Sequence, residues 1–164
     1  MFPIHSILCP LDFSDPSHEA LGIAREWARE ARAELHLIHV VRPAPVFSLE
    51  ARSSTLIPFD VERYEQALVA AANRRLQEIA EQSKEQGVRV EIHVAVGHPV
   101  HEILRAIEAL NASVVVISTH GRTGWDRLVT GSVTEKVVRH ATCPVLVLPL
   151  RLGSVANEGR TRRT

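Results

Sequence analysis

The stretch VVVISTHGRTGWDRLVTGS, Val114–Ser132, decides how the fold is read. Its opening, Val114–Ile117, is an unbroken β-branched apolar run, the composition of a strand buried on both faces. The chain then turns polar and glycine-bearing through Ser118, Thr119, His120, Gly121, Arg122, Thr123 and Gly124. Gly131-Ser132 opens a helical pattern, and Ser132-Val133-Thr134-Glu135 has the spacing of a capping box. A strand, a small-residue loop and a helix N-terminus in succession suit an anion. Glycine lets the backbone come close, first-turn N–H groups have no acceptor within the helix, and the helix dipole favours negative charge.

Working outward, the same alternation of short apolar runs and helical periods fills the chain. Ile4–Cys9, ending at Pro10, reads as a buried strand. Asp15 is placed as an N-cap with Pro16 at the first helical position, and Ala20, Leu21, Ala24, Trp27, Ala28 and Ala31 form one face of a helix over about Asp15–Ala33. Glu34–Val41 is a second strand. Arg42–Phe59 carries three prolines and no sustained period, so it reads as a long loop. Tyr64, Leu68, Ala71, Ala72, Leu76, Ile79 and Ala80 then mark a helix closed by Gly87. That loop and helix are expected to be the sheet's most irregular neighbourhood. Val88–Val96 alternates with period two, a third strand. Gly97-His98-Pro99 turns into a helix with the stripe Val100, Ile103, Leu104 and Ile107. Ser113–Ile117 is the fourth strand, Ser132 to about His140 the fourth helix, and Pro144–Pro149 the fifth strand. The Gly-, Arg-, Ser- and Thr-rich tail from Arg151 to Thr164 is expected to lie disordered beyond one domain spanning residues 1–150.

Strands separated by helices predict an α/β domain, a doubly wound five-stranded parallel sheet with helices on both faces. Ligands of such sheets bind outside the carboxyl ends of the strands, where the strand order reverses. If the first and fourth strands are neighbours, Asp12 and the loop from Ser118 to Gly121 face one another across that crevice.

Composition narrows the partners. Lys+Arg and Asp+Glu each total 19, so the chain has no basic footprint for nucleic acid or a membrane surface. Cys9 and Cys143 stand far apart with no metal spacing, as reduced thiols of a cytoplasmic protein do. The N-terminus has no basic region ahead of an apolar run, and no run approaches the ~18 residues of a membrane span.

Several residues carry two readings. Gly121 and Gly124 either make turns or cradle an anion, and the Gly131-Ser132 helix start favours the anion. Asp12 either competes with Asp15 for the helix cap or accepts from an adenine amino or ribose hydroxyl group. His120 reads as a hydrogen-bond donor or turn filler ahead of a catalytic base. His98 and His101 have the spacing of a metal pair but no third ligand beside them, so they read as helix-start histidines. Arg122 and Arg127 either reach phosphate or lie on the surface.

On these residues the chain resembles the universal stress protein family over nearly all of Ile4–Pro149. ILCPLDFSDPS is similar to that family's first strand and Asp-bearing loop, HLIHVV to its second strand, and STHGRTGWDRLVTGSVTEKVVRHATCPVLVLP to its nucleotide segment and last strand. The pattern of ATP-binding members is Gly-x-x-Gly, nine residues, then Gly and Ser or Thr. Here Ser118 stands at the first glycine, followed by Gly121, the nine residues Arg122–Thr130, and Gly131-Ser132.

The resemblance implies a Rossmann-like sheet of order 3-2-1-4-5. It implies ATP, ADP or AMP bound with Mg²⁺, with adenine near Pro10, Leu11, Asp12 and Val40. The phosphates would lie on the backbone of Gly121, Gly131, Ser132 and Val133, and Ser118, His120 and Arg122 complete the set. It further implies a homodimer paired through Val145–Leu148. The chain has no P-loop, no Gly-x-Gly-x-x-Gly after the first strand and no nucleophile elbow, so a nucleotide-binding regulatory module with at most weak ATP hydrolysis is expected. The competing reading is a nucleotide-free dimeric interaction module.

Overall fold

The sheet runs β3-β2-β1-β4-β5, every pairing parallel. In the computed structural model, which describes residues 3–43, 60–119 and 131–149, the elements are β1 (Ser6–Pro10), α1 (Asp15–Ala31), β2 (Glu34–Val41), α2 (Val61–Glu85), β3 (Arg89–Val96), α3 (Pro99–Ala109), β4 (Val114–Ser118), α4 (Ser132–His140) and β5 (Val145–Leu148). The expected strand order and the helix between each pair of strands are both present. Most of the Arg42–Phe59 loop, residues 120–130 and the tail lie outside the described residues.

Period-two strands sandwiched between helices build two cores. On one face Ile7, Cys9, Leu35, Leu37, Val114 and Val116 meet Ala20, Leu21, Ala24 and Ala28 of α1 and Leu76 and Ile79 of α2. On the other, Leu8, Ile38, Val115 and Ile117 meet Ile103 and Ile107 of α3 and Val137 of α4. β1 and β4 are buried along their full length because they lie in the middle of the sheet with helices on both sides. Truncating a fully buried residue such as Leu37 to Ala would cost about 2–5 kcal/mol. A half-buried polar link joins α1 to α2: Arg25 Nε donates to Ser83 Oγ at 2.7 Å, and its Nη2 donates to the Ile79 carbonyl at 3.2 Å.

The helix ends differ from expectation in instructive ways. The cap of α1 is Ser14, not Asp15, because the Ser14 side chain turns back to accept from the Ser17 N–H and leaves Asp15 inside the first turn. α2 starts at Val61, capped by the Asp60 carboxylate accepting from Arg63 N–H at 3.0 Å, and runs as a regular helix of 25 residues, so the helix itself is not irregular, while most of the loop named with it lies outside the described residues. Of its predicted stripe, Tyr64 is exposed, Leu68 and Ala71 are half-buried and full burial starts at Ala72. The C-cap of α2 is Gln86, with Gly87 just beyond it at φ +80°, a conformation that favours glycine. The predicted capping box at α4 does not form. Gly131 is the N-cap, without a side-chain cap, and Ser132 is already inside the helix.

Candidate functional site

The strand order places β1 and β4 side by side, and their onward connections go to opposite faces, α1 to one and α4 to the other. That leaves a crevice at their carboxyl ends. A cavity of about 600 Å³ opens there, lined by Pro10, Leu11, Asp12, Val40, Ser118, Gly131, Ser132 and Val133 among others. Eight of the residues proposed from sequence are thus brought together around one space. His120, Gly121 and Arg122 lie outside the described residues. A second cavity of about 460 Å³ adjoins it, sharing Arg42, Pro99, Ser132 and Val133 and adding His98 and Lys136.

The floor is held by backbone hydrogen bonds. Leu11 N–H donates to the Ile38 carbonyl at 2.8 Å, and the Leu11 carbonyl accepts from His39 Nδ1–H at 2.7 Å, which sets that histidine's tautomer. Asp12 Oδ1 accepts from both Ser14 N–H and the Ser14 hydroxyl, at 3.0 and 2.5 Å. Asp12 therefore serves the start of α1 through Ser14, not as the cap itself, and it also lines the cavity.

The opposite wall is the start of α4. Thr134 Oγ1 donates to the Ser118 carbonyl at 2.7 Å, and Gly131 N–H donates to the Thr119 carbonyl at 2.6 Å. The Gly131 N–H is thereby committed within the protein. Ser132 and Val133 occupy the first two helical positions, whose N–H groups have no acceptor inside the helix. Ser118 is the last residue of a strand and has no positive φ, so its conformation does not call for glycine. Arg42, Arg75 and Lys136 line the two cavities, against Asp12 as the carboxylate among the described lining residues, giving a positive balance suited to an anion.

Sequence reasoning passed over Phe13, His39 and Arg75. Phe13 takes φ +63°, its ring stacks on His39 with centroids 4.4 Å apart, and the Arg75 guanidinium lies 4.2 Å above the ring. The available signal was His39 breaking an apolar strand one residue before Val40, and Arg75 beside Leu76 in the stripe of α2. His98 and His101 have ring centroids 5.3 Å apart at the start of α3, with His98 lining the second cavity. Burial pushes the Cys9 thiol up to about 12, so this core cysteine is inert.

A family model described as the universal stress protein family matches residues 3–149. The chain belongs to the universal stress protein family. Universal stress protein MJ0531 of Methanocaldococcus jannaschii is 34% identical over 142 residues, covering 87% of this chain and 80% of that protein. Universal stress protein YxiE of Bacillus subtilis is 32% identical over 145 residues, covering 88% and 98%. Among solved structures, universal stress protein UspA from Lactobacillus plantarum superposes with a TM-score of 0.73 at 25% identity, covering 88% of this chain and 97% of that one. The fold is shared with two more distant structures. One is a universal stress protein in complex with cAMP, with a TM-score of 0.60 at 21% identity, covering 90% and 98%. The other, from Archaeoglobus fulgidus in complex with dAMP, has a TM-score of 0.59 at 22% identity, covering 90% and 98%. No helix among the described residues is long and apolar enough to cross a membrane.

Proposed function

We propose that this universal stress protein is a cytoplasmic, homodimeric stress-response module that binds ATP or ADP and turns it over weakly at most. The observation that carries the reading is the 600 Å³ cavity at the carboxyl ends of β1, β2 and β4, within the ~300–1,000 Å³ of small-molecule sites. Pro10, Val40, Ile103 and Ile117 supply apolar walls for a purine, and Asp12 supplies an acceptor for its polar edge or the ribose. The phosphates would run toward the N–H groups of Ser132 and Val133, with Arg42 and Lys136 flanking them. Gly121 and Arg122 would approach from the loop before α4. Mg²⁺ fits as an ion carried by the phosphate oxygens. Asp12 is the lining carboxylate among the described residues, and one of its oxygens is tied to Ser14. The same scarcity of carboxylates supports binding ahead of rapid hydrolysis. Two proteins of this fold are in complex with cAMP and with dAMP, which supports an adenine nucleotide as the ligand.

Mass spectrometry of the denatured protein should release an adenine nucleotide, and titration calorimetry should show ATP binding that Gly131→Leu abolishes. Gly131 has φ −51°, which any residue adopts, so this variant tests close approach and leaves the backbone unstrained. Unchanged affinity in Gly131→Leu would misplace the phosphates. Failure of the wild type to bind any adenine nucleotide would favour the nucleotide-free interaction module.

A further inference from the structure

On the side of the sheet that ends in the edge strand β3, β2 and β3 repeat one pattern, Glu34-Leu35-His36 and Glu91-Ile92-His93. The parallel register sets His36 against Glu91 and Ile38 against His93. Leu35 and Ile92 turn into the core shared with α1 and α2, so period two sends Glu34, His36, Glu91 and His93 to the other face together. There His36 Nδ1 lies 3.2 Å from His93 Nε2 and 3.6 Å from Glu91 Oε2. One ligand atom from each of these three residues falls within 4.8 Å of the others.

We propose that His36, His93 and Glu91 form a binding site for a divalent transition metal, zinc by its ligand set, between β2 and the edge strand β3. The spacing carries the argument. Four ligands about 2.0–2.1 Å from a tetrahedral zinc are about 3.3–3.4 Å apart, and the two measured ligand separations bracket that value. Two imidazoles and a carboxylate suit zinc better than magnesium or calcium, which take oxygen ligands. The His36 side chain is 6% exposed, so a rigid buried ligand anchors the site, while Glu91 is 56% exposed and leaves a path from solvent. Glu34 Oε2 lies 3.8 Å from His36 Nε2, on the side away from the proposed metal. At that distance the carboxylate makes no hydrogen bond, but its charge favours a proton on Nε2 and leaves the Nδ1 lone pair toward the metal. Three protein ligands leave the fourth position to water. The site needs no residue of the nucleotide cavity, and its effect would be to clamp β3 to β2.

The test uses the full chain, freed of metal by chelation and examined without nucleotide. Calorimetry with zinc chloride should give one ion per chain, cobalt(II) should develop the visible bands of a tetrahedral complex, and zinc should raise the melting temperature. His93→Gln and Glu91→Gln should each weaken zinc by at least ten-fold. Glu91 is exposed enough for its variant to fold, as far-UV circular dichroism would verify. A paired His98→Gln/His101→Gln variant should bind zinc as the wild type does. No zinc binding by the wild type, unchanged affinity in Glu91→Gln, or loss of binding in the His98/His101 variant would each overturn the proposal.

Discussion

The guanidinium of Arg75, on α2, lies 4.2 Å above the ring of Phe13, in the turn between β1 and α1. The same ring stacks on His39, so a left-handed residue is held between the second helix and the second strand at the rim of the cavity. The contacts belong to the ring and the strain belongs to the backbone. Phe13→Ala removes the ring and keeps the strain at φ +63°, whereas Phe13→Gly removes both. Phe13→Gly is therefore expected to be more stable than Phe13→Ala by roughly 1 kcal/mol, the reverse of the usual order. Urea denaturation of the two variants measures the difference, and a more stable alanine variant would show that the left-handed turn does not persist once the ring is gone.

Asp12 and Ser14 separate nucleotide binding from helix capping. Asp12→Ala should weaken nucleotide binding by ~1–3 kcal/mol through lost hydrogen bonds. Ser14→Ala should cost ~1 kcal/mol of stability as a lost N-cap while keeping the carboxylate. Calorimetry alongside urea melts compares them. Equal losses of affinity in both variants would mean that Asp12 acts only by shaping the start of α1.

β5 lies at the edge of the sheet, paired only with β4 among the described strands, and its four residues are apolar and half-buried. An uncharged edge of this kind invites a second strand, and a two-fold copy closes it. Val147→Glu should convert a micromolar dimer to monomer in analytical ultracentrifugation. A monomeric wild type, or a variant that stays fully dimeric, would rule out pairing through Val145–Leu148.

Cys9 makes the fold sensitive to alkali. Burial raises its thiol from 9.0 to about 12, while in the unfolded chain it ionises near the lower value. Between these values the unfolded state has lost the proton that the native state keeps. The contribution is fully present below about pH 9 and is lost as pH rises toward 12, at about 1.4 kcal/mol per pH unit. Cys9→Val, with no proton to lose, should show a shallower decline in stability over that window. Ellman's reagent should label Cys9 only after denaturation, and labelling of the native thiol would contradict its burial.

The sequence by itself determined the alternation of strands and helices, because apolar period is set by local geometry. It also marked Pro10, Asp12, Ser118 and Gly131-Ser132 as residues at strand ends and a helix start. Helix caps were legible only to within a residue: Ser14 and Asp15 are both good caps, and the choice fell to which side chain could turn back onto α1. The capping box at Ser132 failed because Gly131 takes the cap position, which leaves Ser132 inside the helix. Only the tertiary structure decided what depends on register between distant segments. Arg75 meets Phe13 because α2 packs on the same face of the sheet as Phe13, and His36 meets Glu91 and His93 because β2 and β3 pair in one register and no other. A shift of one residue would send Glu91 and His93 into the core, so burial of Val90, Ile92 and Val94 fixes a cluster of histidines more than fifty residues apart in sequence.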